Sequence, residues 1–167
     1  MTSRIRVTRA GGCPREVASY DGVDNPDPTL ATTMVPRGRP SAGLVCFYPP
    51  LSIAPEASGS PAPDAPRSVA LSSPGAGRLA GALAAVKTGW LPGRATAVCP
   101  DDTGAVDIIV LTYRALPDTD IWYQASGCQS FSNGYLTAYE VANTGFYAAF
   151  LPALAAVTAT PAKPGAA

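Results

Sequence analysis

The sequence predicts an α+β fold in which a mainly antiparallel sheet carries two packed helices and is held by two disulfides. Short apolar segments separated by turn residues are typical of antiparallel strands. One longer segment has the apolar spacing of an amphipathic helix, with start and stop signals at its ends. Four widely spaced cysteines, in a chain with 16 glycines and 18 prolines, indicate a loop-rich fold stabilised by disulfides.

The N-terminal part contains two predicted strands and ends at a proline-rich segment. RIRVTRA, residues 4–10, alternates as an edge strand does, and SAGLVCFY, residues 41–48, is a strand that carries Cys46. The segment PPLSIAPEASGSPAPDAP, residues 49–66, lacks the apolar residues for a core of its own and is predicted to be a loop.

The clearest helix lies in SSPGAGRLAGALAAVKTG, residues 72–89, directly after the predicted strand RSVAL, residues 67–71. Serine at the N-cap, proline in the first turn, a basic residue in the last turn and a terminal glycine are the expected helix boundaries. The boundary signals are Ser73, Pro74, Lys87 and Gly89. Leu79, Leu83 and Val86 recur at helical spacing and form the apolar stripe of this helix.

The C-terminal part is predicted to be strands followed by a second helix. AVDIIVLTYRA, residues 105–115, is almost wholly apolar, as expected of a central strand covered on both faces. The remaining predicted strands and turns are a strand at 95–99, a turn at 116–119, a strand at 120–128 and a hairpin at Asn133-Gly134. The second helix is predicted at 144–157. It packs Phe146, Phe150, Leu151 and Leu154 and is kinked at Pro152.

These segments divide the chain into four parts, which form one composite domain or two diverged half-repeats. The parts are the strand and loop region 1–48, the proline-rich loop 49–66, the sheet-and-helix core 67–157 and a disordered tail 158–167.

The four cysteines are Cys13, Cys46, Cys99 and Cys128, and none has the close spacing of a zinc knuckle or a redox motif. Of the three pairings, Cys13–Cys46 with Cys99–Cys128 is favoured because each bond closes a loop inside one part. If strands 95–99, 105–115 and 120–128 are neighbours in that order, however, the second pair is too far apart to bridge. Four buried thiols in a cytosolic protein are the alternative to disulfides in an oxidising compartment.

Composition argues against several functions. The chain has no histidine, so a Ser–His–Asp triad is excluded and a nucleophilic cysteine lacks its usual base. Its formal net charge is +0 and the basic residues occur singly, so we do not expect a nucleic-acid partner. No segment is long and apolar enough for a membrane span, and we expect the leader of an exported protein to have been removed.

Two acidic segments are candidate metal or catalytic sites, and one glycine-rich segment is a candidate cofactor site. Aspartates abound in turns because they bond nearby amides, so turn chemistry is favoured over calcium binding. GAGRLA, residues 75–80, matches the glycine spacing of a dinucleotide-binding motif, but the rest of the chain lacks the alternating strands and helices of that fold. We therefore predict no metal, no cofactor and no catalytic residue. The acidic segments contain Asp21, Asp24, Asn25 and Asp27, and Asp101, Asp102 and Asp107.

Aromatic residues are concentrated in the C-terminal part, and most are expected in the core. Trp122, Tyr123 and Tyr135 are the candidates for facing a ligand, since aromatic side chains combine contact area with a polar group.

The pattern CPDDTG…DIIVLTY…SGCQSFSNG, together with MVPRGRPSAGLVCFY and RLAGALAAV, resembles uncharacterised exported proteins and predicted lipoproteins of actinobacteria. The resemblance implies an extracellular or cell-envelope location and a bond between Cys99 and Cys128, but no activity. We thus expect a non-enzymatic module that binds an unknown protein or small molecule, or has a structural role. The alternatives are a carboxylate-dependent extracellular hydrolase and a secreted protease inhibitor presenting the loop 114–119 or 49–66.

Overall fold

The computed structural model describes residues 3–5, 12–14, 20–48, 66–89, 103–139, 143, 151–152 and 154–155. In chain order its elements are β1 (Ser3–Ile5), β2 (Tyr20–Val23), a short 3-10 helix (Pro28–Ala31), β3 (Ala42–Tyr48), β4 (Arg67–Leu71), α1 (Ser73–Ala84), β5 (Val106–Thr112), β6 (Thr119–Gln124), β7 (Ser130–Ser132) and β8 (Thr137–Tyr139).

Six strands form one antiparallel sheet in the order β4-β3-β5-β6-β7-β8. The predicted antiparallel sheet is therefore confirmed, and β3 and β4 pair with each other although the segment 49–66 separates them in the chain. The strand β1 lies in a separate pair, parallel to β2.

The strand β5 lies inside the sheet, and all seven of its residues are buried. Successive side chains of a strand point to opposite faces, so a strand covered on both sides is mostly apolar, and in β5 only Asp107 and Thr112 are polar. On one face Ile109 and Leu111 pack with α1 through Leu79 and Leu83. On the other face Ile108 belongs to a smaller cluster. The prediction of a central strand covered on both faces is confirmed.

The helix α1 begins and ends earlier than predicted. Its N-cap is Ser72, whose hydroxyl accepts a hydrogen bond from the Gly75 amide at 3.3 Å. The predicted cap, Ser73, instead donates its hydroxyl to the carbonyl oxygen of Pro40 at 2.9 Å. The Ser73 side chain therefore makes a tertiary hydrogen bond instead of the predicted helix cap.

The helix ends at Ala84, so Lys87 and Gly89 lie beyond its last turn, contrary to the prediction. The Asn143 side chain accepts from the Lys87 amide at 2.7 Å and donates to the Lys87 carbonyl at 3.0 Å. The Gly89 amide donates to Thr137 of β8 at 3.0 Å. These bonds draw the chain away from the helix axis and toward the far edge of the sheet.

The sequence predicted two helices and two disulfides. Among the described residues, one α-helix has both of its ends, and one disulfide has both of its cysteines. Cys13 and Cys46 form that bond, with Cα atoms 5.6 Å apart, as predicted. Cys128 is itself disulfide-bonded, to a partner outside the described residues. Its predicted partner, Cys99, and the predicted strand 95–99 also lie outside them.

The predicted last helix, 144–157, is described at only four positions, where the backbone is helical. Leu154 is buried against the α1 side of the sheet, as predicted. Leu151 is 43% exposed, so its predicted burial is wrong. Phe146, Phe150 and the tail 158–167 lie outside the described residues.

Candidate functional site

The three candidate ligand-facing aromatics do not share one surface. Tyr123 is 2% exposed and stacks on Phe131 at 4.6 Å between ring centroids, inside the core beneath α1. Trp122, the preceding residue, packs against the cluster on the opposite face. Tyr135 is exposed in the β7–β8 hairpin and donates its hydroxyl to the Asn25 carbonyl at 3.1 Å. Their ligand-facing role stays a prediction.

The acidic loop after β2 shows the predicted turn chemistry at Asp27, whereas Asn25 makes long-range hydrogen bonds. Asp27 accepts from both the amide and the hydroxyl of Thr29, at 2.9 and 2.7 Å, and so caps the 3-10 helix. Asn25 accepts from the amide of Asp120 in β6 at 2.8 Å and donates to its carbonyl at 2.7 Å. The Asn25 amide is thus committed to backbone groups of distant segments, and one carboxylate oxygen of Asp27 to the adjacent Thr29.

Asp107 is the described member of the second acidic group, and it lies in the core. It occupies β5 on the face that carries α1, in register with Phe47 of β3 and Tyr123 of β6, and is 9% exposed. Burial raises the pKa of its carboxyl to about 7, partly opposed by the positive charge of Arg67 on β4. Arg67 itself stacks over Phe47, with its guanidinium carbon 4.2 Å from the ring centroid.

Asp120 of β6 is also buried, but it lies opposite Val110 on the other face of the sheet from Asp107, so the two do not form a paired general acid and base. Asp101 and Asp102 lie outside the described residues, and Asp107 faces the sheet core. Among the residues that the structure describes, no group of three acidic, cysteine or histidine side chains is placed to hold a metal ion.

Two adjoining grooves flank the segment Arg37–Pro40, which we call the ridge. The first groove lies between the ridge and α1 and has a volume of about 750 Å³. The second lies between the ridge and the loop Tyr113–Leu116 after β5, with a volume of about 530 Å³. Both volumes fall within the range typical of small-molecule sites.

Arginine supplies the charge of both grooves. The ridge residues Arg37 and Arg39 line both of them, Arg78 of α1 lines the first, and Arg114 lines the second. All four side chains are exposed, and no aspartate or glutamate occurs among the described lining residues. A concave surface lined by one sign of charge attracts counter-ions more strongly than the same charges spread out.

Sequence analysis missed this site because its arginines come from three separate segments. The one local signal is Arg37-Gly38-Arg39 between two prolines, which places two basic residues on a short, stiff loop. Pro36 and Pro40 are buried while the arginines are exposed, so the prolines face the protein and the charges face solvent.

Hydrogen bonds hold the ridge at its C-terminal end. The Pro40 carbonyl accepts from Ser73 of α1, and the Ser41 amide donates to Thr112 of β5 at 2.7 Å. Arg39 lies along α1, since a Cβ atom placed on Gly77 would be 3.7 Å from its Nε atom. Such a Cβ atom would make only an ordinary van der Waals contact with the arginine, so alanine would also fit at this position.

Tyr113 lines the second groove with its ring and buries its hydroxyl. The residue is 5% exposed, and no hydrogen-bond partner of the hydroxyl occurs among the residues that the structure describes. Burial raises the pKa of this phenol to about 12, so it stays neutral.

Comparisons with protein-family models, with curated proteins and with solved structures found no match. The resemblance to exported actinobacterial proteins therefore stays a prediction. In the described part of the chain, no helix combines the length and apolar character that crossing a membrane requires.

Proposed function

We propose that this chain is a non-enzymatic binding module of a secreted or envelope-associated protein, and that it holds an anionic ligand in the arginine-lined grooves. The observation that carries the proposal is the charge of the lining: four arginines from separate segments converge, with no carboxylate among the described residues beside them. Guanidinium groups bind phosphate and carboxylate oxygens through paired N–H donors.

The grooves offer the means to bind an anion but few means to transform one. The chain has no histidine, and the described lining contains no acid or thiol that could act as a base or nucleophile. The raised pKa of Asp107 belongs to a core residue that lines neither groove. Binding is thus better supported than hydrolysis by carboxylates.

The proposed location rests on the Cys13–Cys46 bond. Cys46 is fully buried within β3, so the bond belongs to the core rather than to an exposed, transient redox site. Such structural disulfides persist in oxidising compartments and are rare in the cytosol of mesophiles.

The binding proposal is tested by calorimetric titration with inorganic phosphate and with sulfate at low salt. We expect binding that weakens as salt is added, and a loss of about thirtyfold in affinity in the double variant Arg37→Ala, Arg39→Ala, because each of the two lost contacts contributes on the order of 1 kcal/mol. Lys87→Ala is the control, since it removes an exposed charge that lines neither groove.

Absence of anion binding, or equal binding by the ridge variant and the Lys87 variant, contradicts the proposal. Thermal unfolding of each variant shows whether the fold is kept.

A protease inhibitor is the second candidate, because residues 114–117 are exposed in the loop between β5 and β6. That function predicts that the chain blocks one class of protease and that Leu116→Asp in this loop abolishes the inhibition. Retained activity of representative serine, cysteine and metalloproteases would exclude it.

A further inference from the structure

We infer that the two grooves form one composite site for a linear polyphosphate chain, which crosses the ridge and places one end in each groove. This inference rests on the proposed anion binding and adds the shape and chemical class of the ligand.

The grooves are neighbours that share their central residues. The ridge, Arg37–Pro40, lines both grooves, and its two arginines belong to both linings. A ligand that fills one groove and extends over the ridge therefore enters the other without leaving contact with positive charge.

The space suits a chain of groups better than a single ion. One water accounts for about 30 Å³ of liquid volume, so grooves of about 750 and about 530 Å³ far exceed a lone tetrahedral anion with its bound water. A small ion would reach only part of the lining, whereas a chain can contact every wall.

The charges are distributed along the path that such a chain would follow. Arg78 belongs to the first groove only and Arg114 to the second only, with Arg37 and Arg39 between them. The formal net charge of the whole chain is +0, so this row of arginines is a local concentration of charge rather than part of a generally basic surface. A row of cations complements a row of repeated anionic groups.

The lining favours a chain of phosphate groups over a single-stranded nucleic acid. Nucleic-acid grooves use aromatic side chains on which bases stack, and the only aromatic residue among the described lining is Tyr113, which is 5% exposed. Recognition is thus left to the guanidinium groups, which match the oxygens of a phosphate through paired donors.

The inference is tested by titrating the protein with orthophosphate, tripolyphosphate and long-chain inorganic polyphosphate at constant ionic strength. We expect affinity to rise by at least about tenfold from the first probe to the last, because linked groups bind as one ligand. Arg78→Ala and Arg114→Ala should each weaken the longest probe about fivefold, whereas Lys87→Ala should leave its affinity unchanged.

Each contrary outcome has its own meaning. If orthophosphate binds through Arg37 and Arg39 but affinity does not rise with chain length, or if two short chains bind independently, the composite site is wrong while the proposed function survives. If no anion binds, both are wrong. If a single-stranded oligonucleotide or a sulfated glycan of equal charge binds more tightly than polyphosphate, the ligand class is wrong.

Discussion

The side chain of Asn25 donates a hydrogen bond of 2.8 Å to the main-chain carbonyl of Asn133, joining the loop after β2 to the β7–β8 hairpin. Both residues are buried, and Asn133 is fully so. The Asn133 amide group in turn faces the carbonyl oxygens of Leu30, Thr33 and Met34 at 2.9 to 3.1 Å. These two side chains therefore position the segment that leads directly into the ridge.

Replacing Asn133 should destabilise the fold strongly. In Asn133→Asp the donor group becomes an acceptor, so three buried carbonyls lose their donor and meet a carboxylate. We expect a loss of about 3 kcal/mol or more in the free energy of unfolding by urea, since each buried polar group left unsatisfied costs about 1–3 kcal/mol.

Tyr135→Phe is the matched control for this hairpin, because it removes one hydrogen bond to the Asn25 carbonyl from an exposed residue. It should cost about 1 kcal/mol or less. A similar loss in both variants would show that the Asn133 side chain does not organise the segment 30–34.

Tyr113→Phe should stabilise the protein. The Tyr113 hydroxyl is buried and has no hydrogen-bond partner in the described part of the chain, so its removal should raise the free energy of unfolding by about 1 kcal/mol. The same change at Tyr48 should have the opposite sign, because that hydroxyl donates to the Pro14 carbonyl at 2.8 Å. Urea unfolding of both variants measures the contrast, and destabilisation by Tyr113→Phe would indicate a partner for its hydroxyl.

Stability should fall as the pH rises from about 4 toward 7 through the titration of Asp107. Its pKa is raised from 3.8 to about 7 by burial, so in this range the folded chain binds more protons than the unfolded chain. This contribution to stability is complete below the unfolded pKa and is lost as the pH passes the folded pKa, with a full effect on the order of 4 kcal/mol.

Asp107→Asn should remove this part of the pH dependence. The variant should resemble the wild type at about pH 4 and be more stable at about pH 8, because the amide needs no costly ionisation. Asp24→Asn, at an exposed position, is the control and should keep the wild-type profile. An unchanged profile in Asp107→Asn would mean that this carboxyl ionises without penalty.

The double variant Cys13→Ala, Cys46→Ala should lose about 3.5 kcal/mol of stability, from the chain entropy of the loop that the bond closes. The bond spans a sequence separation of 33. Urea unfolding without reductant keeps the Cys128 disulfide intact in both proteins and isolates this bond. Equal unfolding midpoints would show that the Cys13–Cys46 bond does not stabilise the fold.

The elements with a clear local pattern were predictable from the sequence. The strand at 67–71 has the predicted bounds, β5 is apolar because both its faces are covered, and the Asn133-Gly134 pair does lie in the β7–β8 hairpin. Periodicity and turn chemistry are properties of neighbouring residues, so they can be seen before the chain folds. The disulfide between Cys13 and Cys46 was also predictable, since it closes a loop within one part.

Tertiary structure alone decided the features that carry the proposed function. Arg78 and Arg114 lie far from the Arg37-Gly38-Arg39 segment in the sequence, and the three segments line adjoining grooves only when the ridge packs between α1 and the loop after β5. The end of α1 was set by Asn143, 56 residues after Lys87. The sequence places Asp107 among the acidic residues near a turn, but pairing of β5 with β3 and β6 on its two sides buries this residue. Each of these features depends on contacts between residues that are far apart in the sequence, and local sequence patterns do not encode such contacts.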